Sequence, residues 1–372
     1  MRLVLHHEIP NDDGLGRQWN QLVWQMESPE VFFTYEWALA VSRAYRASLM
    51  PLLILGYEQD SLVGVAALSM DARQETTTFI AGATADYCDF VSHPDRRLEF
   101  AESLISQLRH LKVPQLMLAN LPADSATSQA LRFAAYSQEY SLFSRPAFQC
   151  AQVILSSPEQ KESIRQSMQD RKMLRRHLKA MSKIAPVELR HLRSWEEIAV
   201  SLPKFQQAHI ARFQSTGRIS NLASEERQNF IADLAKLLSR QGWITLTTLN
   251  VGDEPVAWNY GFQFAGSWFW YMPAFESALQ KYYPGLCLLA KIVEEACERP
   301  EINRVDLGLG DERYKDRFAT GARRTIDVTI SASTVKHFKQ IVRYRAASVI
   351  KSSPPLENCV RRLLGRRTAG EA

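Results

Sequence analysis

Between residues 256 and 264 the chain puts a large apolar side chain on every second position: Val256, Trp258, Tyr260, Phe262 and Phe264. A period of two belongs to a β-strand with one buried face and is incompatible with a helix. A run rich in Trp, Ile, Leu and Thr at 243–249 precedes it across the turn Gly252-Asp253-Glu254-Pro255. Ala265-Gly266-Ser267 then turns the chain into a third strand at 268–272. The reading is a three-stranded antiparallel meander. A loop follows, ending in Tyr283-Pro284-Gly285, and the spacing of Leu288, Leu289, Ile292 and Val293 predicts a helix over 286–297. A strand at 304–309, the run Gly310-Asp311-Glu312, a helix carrying Tyr314, Lys315 and Phe318, and a strand at 328–330 complete the unit.

The join between meander and helix matters for function. A helix N-terminus presents free backbone N–H groups and the positive end of the peptide dipole, which suits a phosphate. Gly285 lets a ligand approach the backbone, and Pro284 fits a first helical turn. On the dipeptide alone, ordinary turn punctuation is the commoner explanation.

The first half repeats the pattern. A strand at 3–5 and helices at 16–26 and 36–45 lead into strands at 52–57, 62–70 and 76–81. The loop Ala85-Asp86-Tyr87-Cys88-Asp89-Phe90 is followed by a helix at 97–111, a strand at 115–120, a helix at 125–135 and a strand at 148–155. The same element order occurs twice, which predicts an internal duplication of one α/β unit. The expected divisions are 1–158, 159–340 and a basic tail at 341–372. His93-Pro94-Asp95 stands in the first copy where the second has its Gly-led turn, so the first copy is expected to have lost the phosphate site and to shape a substrate groove. Between the copies a single helix is expected over 160–181, then a helix capped by Ser194 and Glu197, one at 203–213 and one at 224–241.

At 372 residues and 46% apolar the chain can build two cores. No apolar run reaches the length of a membrane span, and the N-terminus has too short an apolar core for a signal peptide, so cytoplasmic residence is the default expectation. The five cysteines have no metal-type spacing, and no metal is expected. The net charge of +5 is concentrated in two places. One is Arg171, Lys172, Arg175, Arg176, Lys179 and Lys183; the other is the tail from Arg343 to Arg367. Each reads either as a solvated helix face or as a surface for nucleic acid, anionic lipid or a phosphorylated substrate. The first cluster has no interleaved aromatics, so base stacking is not indicated, and no DNA partner is expected. There is no Gly-x-Ser-x-Gly, Walker A or HExxH, which removes the obvious hydrolase and nucleotide-triphosphatase readings.

Meander, Gly-led helix, strand, helix, strand is the element order of the GNAT acyl-CoA transferase core. Tyr282-x-x-Gly285-x-Cys287 stands where that superfamily carries Arg/Gln-x-x-Gly-x-Gly/Ala. Pro284, Gly285 and Leu288, then Gly310, Asp311, Glu312, Tyr314 and Lys315, resemble the Pro-Gly-x-x-Leu and Gly-Asp-Glu-x-Tyr-Lys motifs of the GNAT-like CelD/BcsL (BioF2-like) family. Residues 205–213 are similar to that family's Phe, His and Arg-Trp helix, with Phe213 in place of Trp. The paired modules also resemble the FemAB peptidyl transferases, which use aminoacyl-tRNA. The resemblance implies an α/β fold of mixed sheets in two tandem GNAT-like domains, with acetyl-CoA or another acyl-CoA in the second. It implies transfer of the acyl group to an amine or hydroxyl, on a sugar or envelope-polysaccharide precursor. A tRNA-dependent transferase and a non-catalytic binding subunit are the alternatives.

Acyl transfer needs a base for the nucleophile, stabilisation of the thioester oxygen and a proton for the leaving thiolate. The resemblance places the oxygen near the backbone of Tyr271 and Met272, and the pyrophosphate at Tyr282, Tyr283, Pro284, Gly285, Leu286 and Cys287. Asp311 and Glu312 follow a strand end, where α/β sites gather ligands, and are the first candidates for the base; Asp311 serves equally as a helix cap. His209 is the second candidate, with a core role the commoner outcome for such a histidine. Tyr282, Tyr283 and Tyr314 are candidate acids. Arg212, Trp258, Lys315, Asp86 and Asp89 are candidate acceptor contacts, with a carboxylate partner the alternative for Arg212 and a surface ion pair that for Lys315. Cys287 sits inside its helix and is expected to pack.

Overall fold

A computed structural model describes residues 1–71, 75–310, 312–333, 338, 341, 342 and 344. The expected basic tail and Asp311 lie outside the described residues, apart from isolated positions in the tail. The first half contains β1 (Arg2–His6), α1 (Asp13–Trp24), α2 (Tyr35–Ala44), β2 (Met50–Glu58), β3 (Ser61–Met70), β4 (Thr77–Phe79), β5 (Val91–Ser92), α3 (Arg97–His110), β6 (Gln115–Pro122), α4 (Thr127–Ser137) and β7 (Ser141–Ile154). The connector is α5 (Pro158–Gln169) and α6 (Lys172–Met181). The second half contains β8 (Val187–Leu192), α7 (Trp195–Ser215), α8 (Glu225–Gln241), β9 (Ile244–Val251), β10 (Glu254–Phe264), β11 (Ser267–Phe275), α9 (Pro284–Glu298), β12 (Arg304–Asp306), α10 (Arg313–Asp316) and β13 (Gly321–Ser331).

Apart from the short β5, each half runs strand, two helices, three strands, helix, strand, helix, strand. The strands form one sheet in the order β1-β2-β3-β4-β6-β13-β7-β12-β11-β10-β9-β8. The two halves exchange their final strands. β7 pairs with β12 of the second half, β13 pairs with β6 of the first, and β7 and β13 pair with each other from Ser141–Ser331 to Gln152–Gly321. The halves are therefore joined by backbone hydrogen bonds as well as by packing.

Local chemistry explains several element ends. Asp12 caps α1 by accepting from the Gly14 and Leu15 N–H groups. Ser194 and Glu197 form the capping box that opens α7, and Gly242, in the left-handed region, ends α8. Several boundaries differ from the sequence reading, and β7 and β13 each begin seven residues before the strands expected at 148–155 and 328–330. The helix expected over 160–181 breaks at Asp170 and Arg171, where the Arg171 guanidinium lies 4.3 Å from the Phe318 ring and donates to the Arg317 carbonyl. The two helices expected around 194–213 are one helix, α7, with Pro203 inside it. Its buried stripe of Ile198, Leu202, Phe205 and His209 runs on both sides of the proline, so packing outweighs the lost hydrogen bond.

β10 is buried on both faces, where its alternation suggested one. Trp258, Tyr260 and Phe262 face a core shared with the first half, while Val256 and Ala257 join the core under α9. Phe32 and Trp37 bridge the halves at 5.3 Å from Phe269 and 5.4 Å from Phe262. Beside them Glu30, fully buried, accepts from Arg304 Nη2 at 3.0 Å and Arg323 Nη1 at 2.5 Å. Burial pushes Glu30 up to about 7 despite both arginines. No described helix is long and apolar enough to cross a membrane.

Candidate active site

β11 and β12 run parallel and pair only from Ser267–Arg304 to Phe269–Asp306. Beyond Phe269 they diverge, because β11 continues to Phe275 while β12 ends at Asp306. A cavity of about 280 Å³ occupies the gap, walled by Trp270, Tyr271, Met272 and Pro273 on one side and Leu307, Gly308 and Leu309 on the other. His209, Arg212 and Phe213 of α7 form its roof, with Glu312, Tyr314 and Lys315 at one end.

One wall comes from the first half. Asp86, in the loop after β4, reaches into this cavity. That loop is clamped from several directions. Tyr271 donates its hydroxyl to the Thr84 carbonyl, Trp37 Nε1 donates to Thr84 Oγ1 at 3.0 Å, and Asn120 Nδ2 donates to the Ala85 carbonyl at 3.3 Å. Tyr87 donates to Asp306 Oδ2 at 2.8 Å, tying the loop to the end of β12. Gly308 has φ +69, and a Cβ there would come within 2.5 Å of Asp86 Oδ2. Only glycine admits both that backbone and the carboxylate.

Electrostatics divide the two aspartates. Asp306 is fully engaged, accepting from Tyr87, Gln152 Nε2 at 2.7 Å and the Gly308 N–H at 2.8 Å. Burial, with the Asp306 charge nearby, pushes Asp86 up to about 7. A carboxyl titrating near neutrality at a cavity wall can take up and release a proton. His209 moves the other way. Burial, then the Arg212 and Arg227 charges, lower it to about 4, so its imidazole is neutral at pH 7. Its Nδ1 shares a 2.8 Å hydrogen bond with Ser220, its ring stacks on Phe213 at 4.8 Å, and Nε2 has no hydrogen-bond partner among the described residues.

Tyr271 and Met272 line the cavity. Tyr314 accepts from Trp270 Nε1 at 3.0 Å, and burial holds its hydroxyl up at about 12, so it stays protonated. Glu312 lines the cavity but is ion-paired at 2.9 Å with Lys315. Lys315, expected to meet a substrate anion, is committed internally: its Nζ donates to the Gly308 and Leu309 carbonyls at 3.3 and 2.5 Å and reaches that of Gly310 at 3.5 Å. It shapes the loop that walls the cavity. Arg212 likewise donates to the Pro273 carbonyl at 2.7 Å.

Two expected acceptor contacts are elsewhere. Trp258 is fully buried, and its Nε1 donates to Ser201 Oγ at 3.3 Å; its bulk fills the core beneath α7. Asp89 accepts from Ser125 at 2.6 Å beside a cavity of only about 30 Å³ in the first half. Tyr282, Tyr283, Pro284, Gly285, Leu286 and Cys287 do not line the 280 Å³ cavity and sit at the start of α9. Tyr283 is left-handed there and caps α9 with no side-chain hydrogen bond. A Cβ on Gly285 would meet the Phe275 ring at 3.3 Å. The Cys287 thiol is buried and pushed up to about 12. The basic helix α6 packs against this end of α9, with His177 5.2 Å from Tyr283 and Lys172, Arg175, Arg176 and Lys179 exposed. The alignment of α6 with α9 was not legible from spacing. Nor were Trp270 and the wall 307–309, which no motif marks.

A GNAT acetyltransferase domain model matches residues 168–316, which include α6, the meander, α9 and every residue that lines the cavity except Asp86. The whole chain resembles solved structures that carry both halves. FemX superposes with a TM-score of 0.61 at 9% identity, covering 92% of this chain and 100% of its own. The fold is a tandem pair of GNAT-like units. The C-terminal domain of a protein described as a lysylphosphatidylglycerol synthetase from Agrobacterium fabrum gives 0.57 at 10% identity, covering 91% and 96%. A conserved protein from Bacteroides thetaiotaomicron gives 0.56 at 12%, covering 85% and 97%. No curated protein matches in sequence. At such identities the likeness is one of fold.

Proposed function

We propose that the chain is an acyltransferase that moves an acyl group from acyl-CoA to an amine or hydroxyl in the cavity between β11 and residues 307–309. The observation that carries this reading is the divergence of β11 and β12 around a cavity that holds a carboxyl poised near neutrality. The GNAT match over residues 168–316 supports the donor class. The backbone of 270–273 and the start of α9, flanked by the exposed cations of α6, are the elements that would hold the donor. A bound acyl-CoA supplies the activated thioester. Asp86 in its ionised form accepts the proton from the attacking nitrogen or oxygen as the new C–N or C–O bond forms. The Tyr314 hydroxyl, still protonated, is the group that can return a proton to the sulfur as the C–S bond breaks. Glu312, paired with Lys315, holds the loop and is not assigned the base.

Aminoacyl transfer from tRNA is the second reading. The likeness to FemX favours it, and the exposed basic face of α6 fits either donor, since both are polyanions. A thermal-shift titration separates the two. Saturating acetyl-CoA at a hundred times its dissociation constant should stabilise the protein by about 2.7 kcal/mol. A response to tRNA and none to acetyl-CoA or CoA would replace the first reading with the second.

A further inference from the structure

Arg227 of α8 is 7% exposed and has no carboxylate within ion-pairing distance among the described residues. Its Nη2 donates to the Tyr271 hydroxyl at 2.7 Å and touches Met272 Sδ at 4.0 Å, while its Nε is buried with no partner. Its guanidinium carbon lies 5.0 Å from the Phe230 ring and 5.9 Å from the Tyr271 ring, which fixes the plane without neutralising it. Other buried arginines of this protein are treated differently: Arg97 and Arg323 are both matched to carboxylates. A buried cation without a direct ion pair is costly; Tyr271 and Tyr45 hold the Arg227 guanidinium, and the Asp86 carboxylate acts on it only from beyond ion-pairing distance.

Arg227 also borders open space. It lines a second cavity of about 470 Å³, with Tyr45, Ala83 and Ser224. Ile219 and Asn221 line both this cavity and the 280 Å³ one, so the two adjoin. The loop of Ala83 and Asp86 passes along both, with Ala83 at the outer cavity and Asp86 at the inner. The outer space is of the size that holds a small molecule.

We infer that the outer cavity is the acceptor site and that Arg227 binds an anionic group of the acceptor, a carboxylate or a phosphate. The acceptor is then bifunctional, with the anion held at Arg227 and the amine or hydroxyl directed past Asn221 toward Asp86. This rests on the acyl-transfer reading for the direction of the nucleophile, and the anion site itself can be tested without it.

The test is a thermal-shift titration of the full chain with inorganic phosphate and with acetate, at constant ionic strength set by chloride. Wild type should respond to one of them in a saturable way, and which of the two responds identifies the group. Arg227→Met should weaken that response by at least about thirtyfold, whereas Arg240→Gln, an exposed cation of the same helix, should leave it unchanged. Arg227→Lys keeps the charge and loses the planar fork, and it should bind more weakly than wild type but measurably; it serves if the Met variant does not fold. No saturable response in wild type, or the same affinity in both Arg227 variants, overturns the inference. Acetyl-CoA is titrated on the same samples. Its failure to stabilise wild type would count against the donor reading and leave the anion result standing.

Discussion

Asp86→Asn should make the protein more stable, and increasingly so as the pH rises. Asp86 titrates at about 7 in the folded chain against an ordinary 3.8, because burial and the neighbouring Asp306 disfavour its charge. A folded pKa raised above the unfolded one contributes stability that is fully present below 3.8 and is lost as pH rises through 7. Within that window the wild type loses about 1.4 kcal/mol per pH unit relative to the asparagine variant. The ceiling at pH 8 is about 4 kcal/mol, and water reaching the carboxylate through the cavity brings it to roughly 2–4 kcal/mol. Urea unfolding followed by tryptophan fluorescence at pH 4.5, 6 and 8 measures this without knowledge of the acceptor. The gap should be small at pH 4.5, widen to pH 7 and stay constant above it. The same variant should lose about 10²–10⁴ of turnover while still binding acetyl-CoA. A gap that is flat across the series would show that Asp86 is an ordinary solvated carboxylate, and the assignment of the base would fall with it.

His209→Gln carries the opposite signature. The depressed imidazole contributes stability present above about 6.5 and lost as pH falls toward 4, so the variant should resist acid better than wild type in that window; identical acid limbs would contradict it. Gly308→Ala combines φ +69 with a Cβ on Asp86, and should lower stability by about 1–3 kcal/mol and impair turnover in chemical-denaturation and rate measurements. Glu30→Ala removes the carboxylate partner of Arg304 and leaves Arg323 paired with Asp124 alone, at a cost of about 3 kcal/mol by urea melt, while Glu30→Gln should cost less because the carboxyl already titrates near 7.

The parts of the fold read correctly from the sequence are those with strong periodicity. The 256–264 alternation and the 286–297 stripe mark β10 and α9, and the repeated element order marks the duplication. Failures came where tertiary contacts outweigh local pattern. Arg171 breaks a charged helix by reaching Phe318, and Pro203 survives inside α7 because its face is buried on both sides. In the site, Gly-Asp-Glu-x-Tyr-Lys is a recognisable motif, but its residues Glu312, Tyr314 and Lys315 are mutually bonded or tied to neighbours, which spacing does not reveal. Trp258 reads as an acceptor contact in the sequence because alternation cannot tell an open face from one covered by a second half.

The exchanged strands give the duplication a chemical consequence. In the second half the gap beside β11 is open at about 280 Å³, whereas the small cavity by Asp89 in the first half holds about 30 Å³. The loop after β4 is clamped by Trp37, Asn120, Tyr271 and Asp306. That loop projects Asp86 into the cavity of the other half. Because β7 and β13 are hydrogen-bonded into each other's halves, the distance from Asp86 to the β11 wall is set by backbone pairing and not by a mobile domain contact. A site built this way needs both halves to be folded together, so separating them between β7 and α5 removes the base and one sheet edge at once. The two pieces, each missing its exchanged strand, should neither fold alone nor restore acetyl-CoA binding unless they are refolded as a mixture.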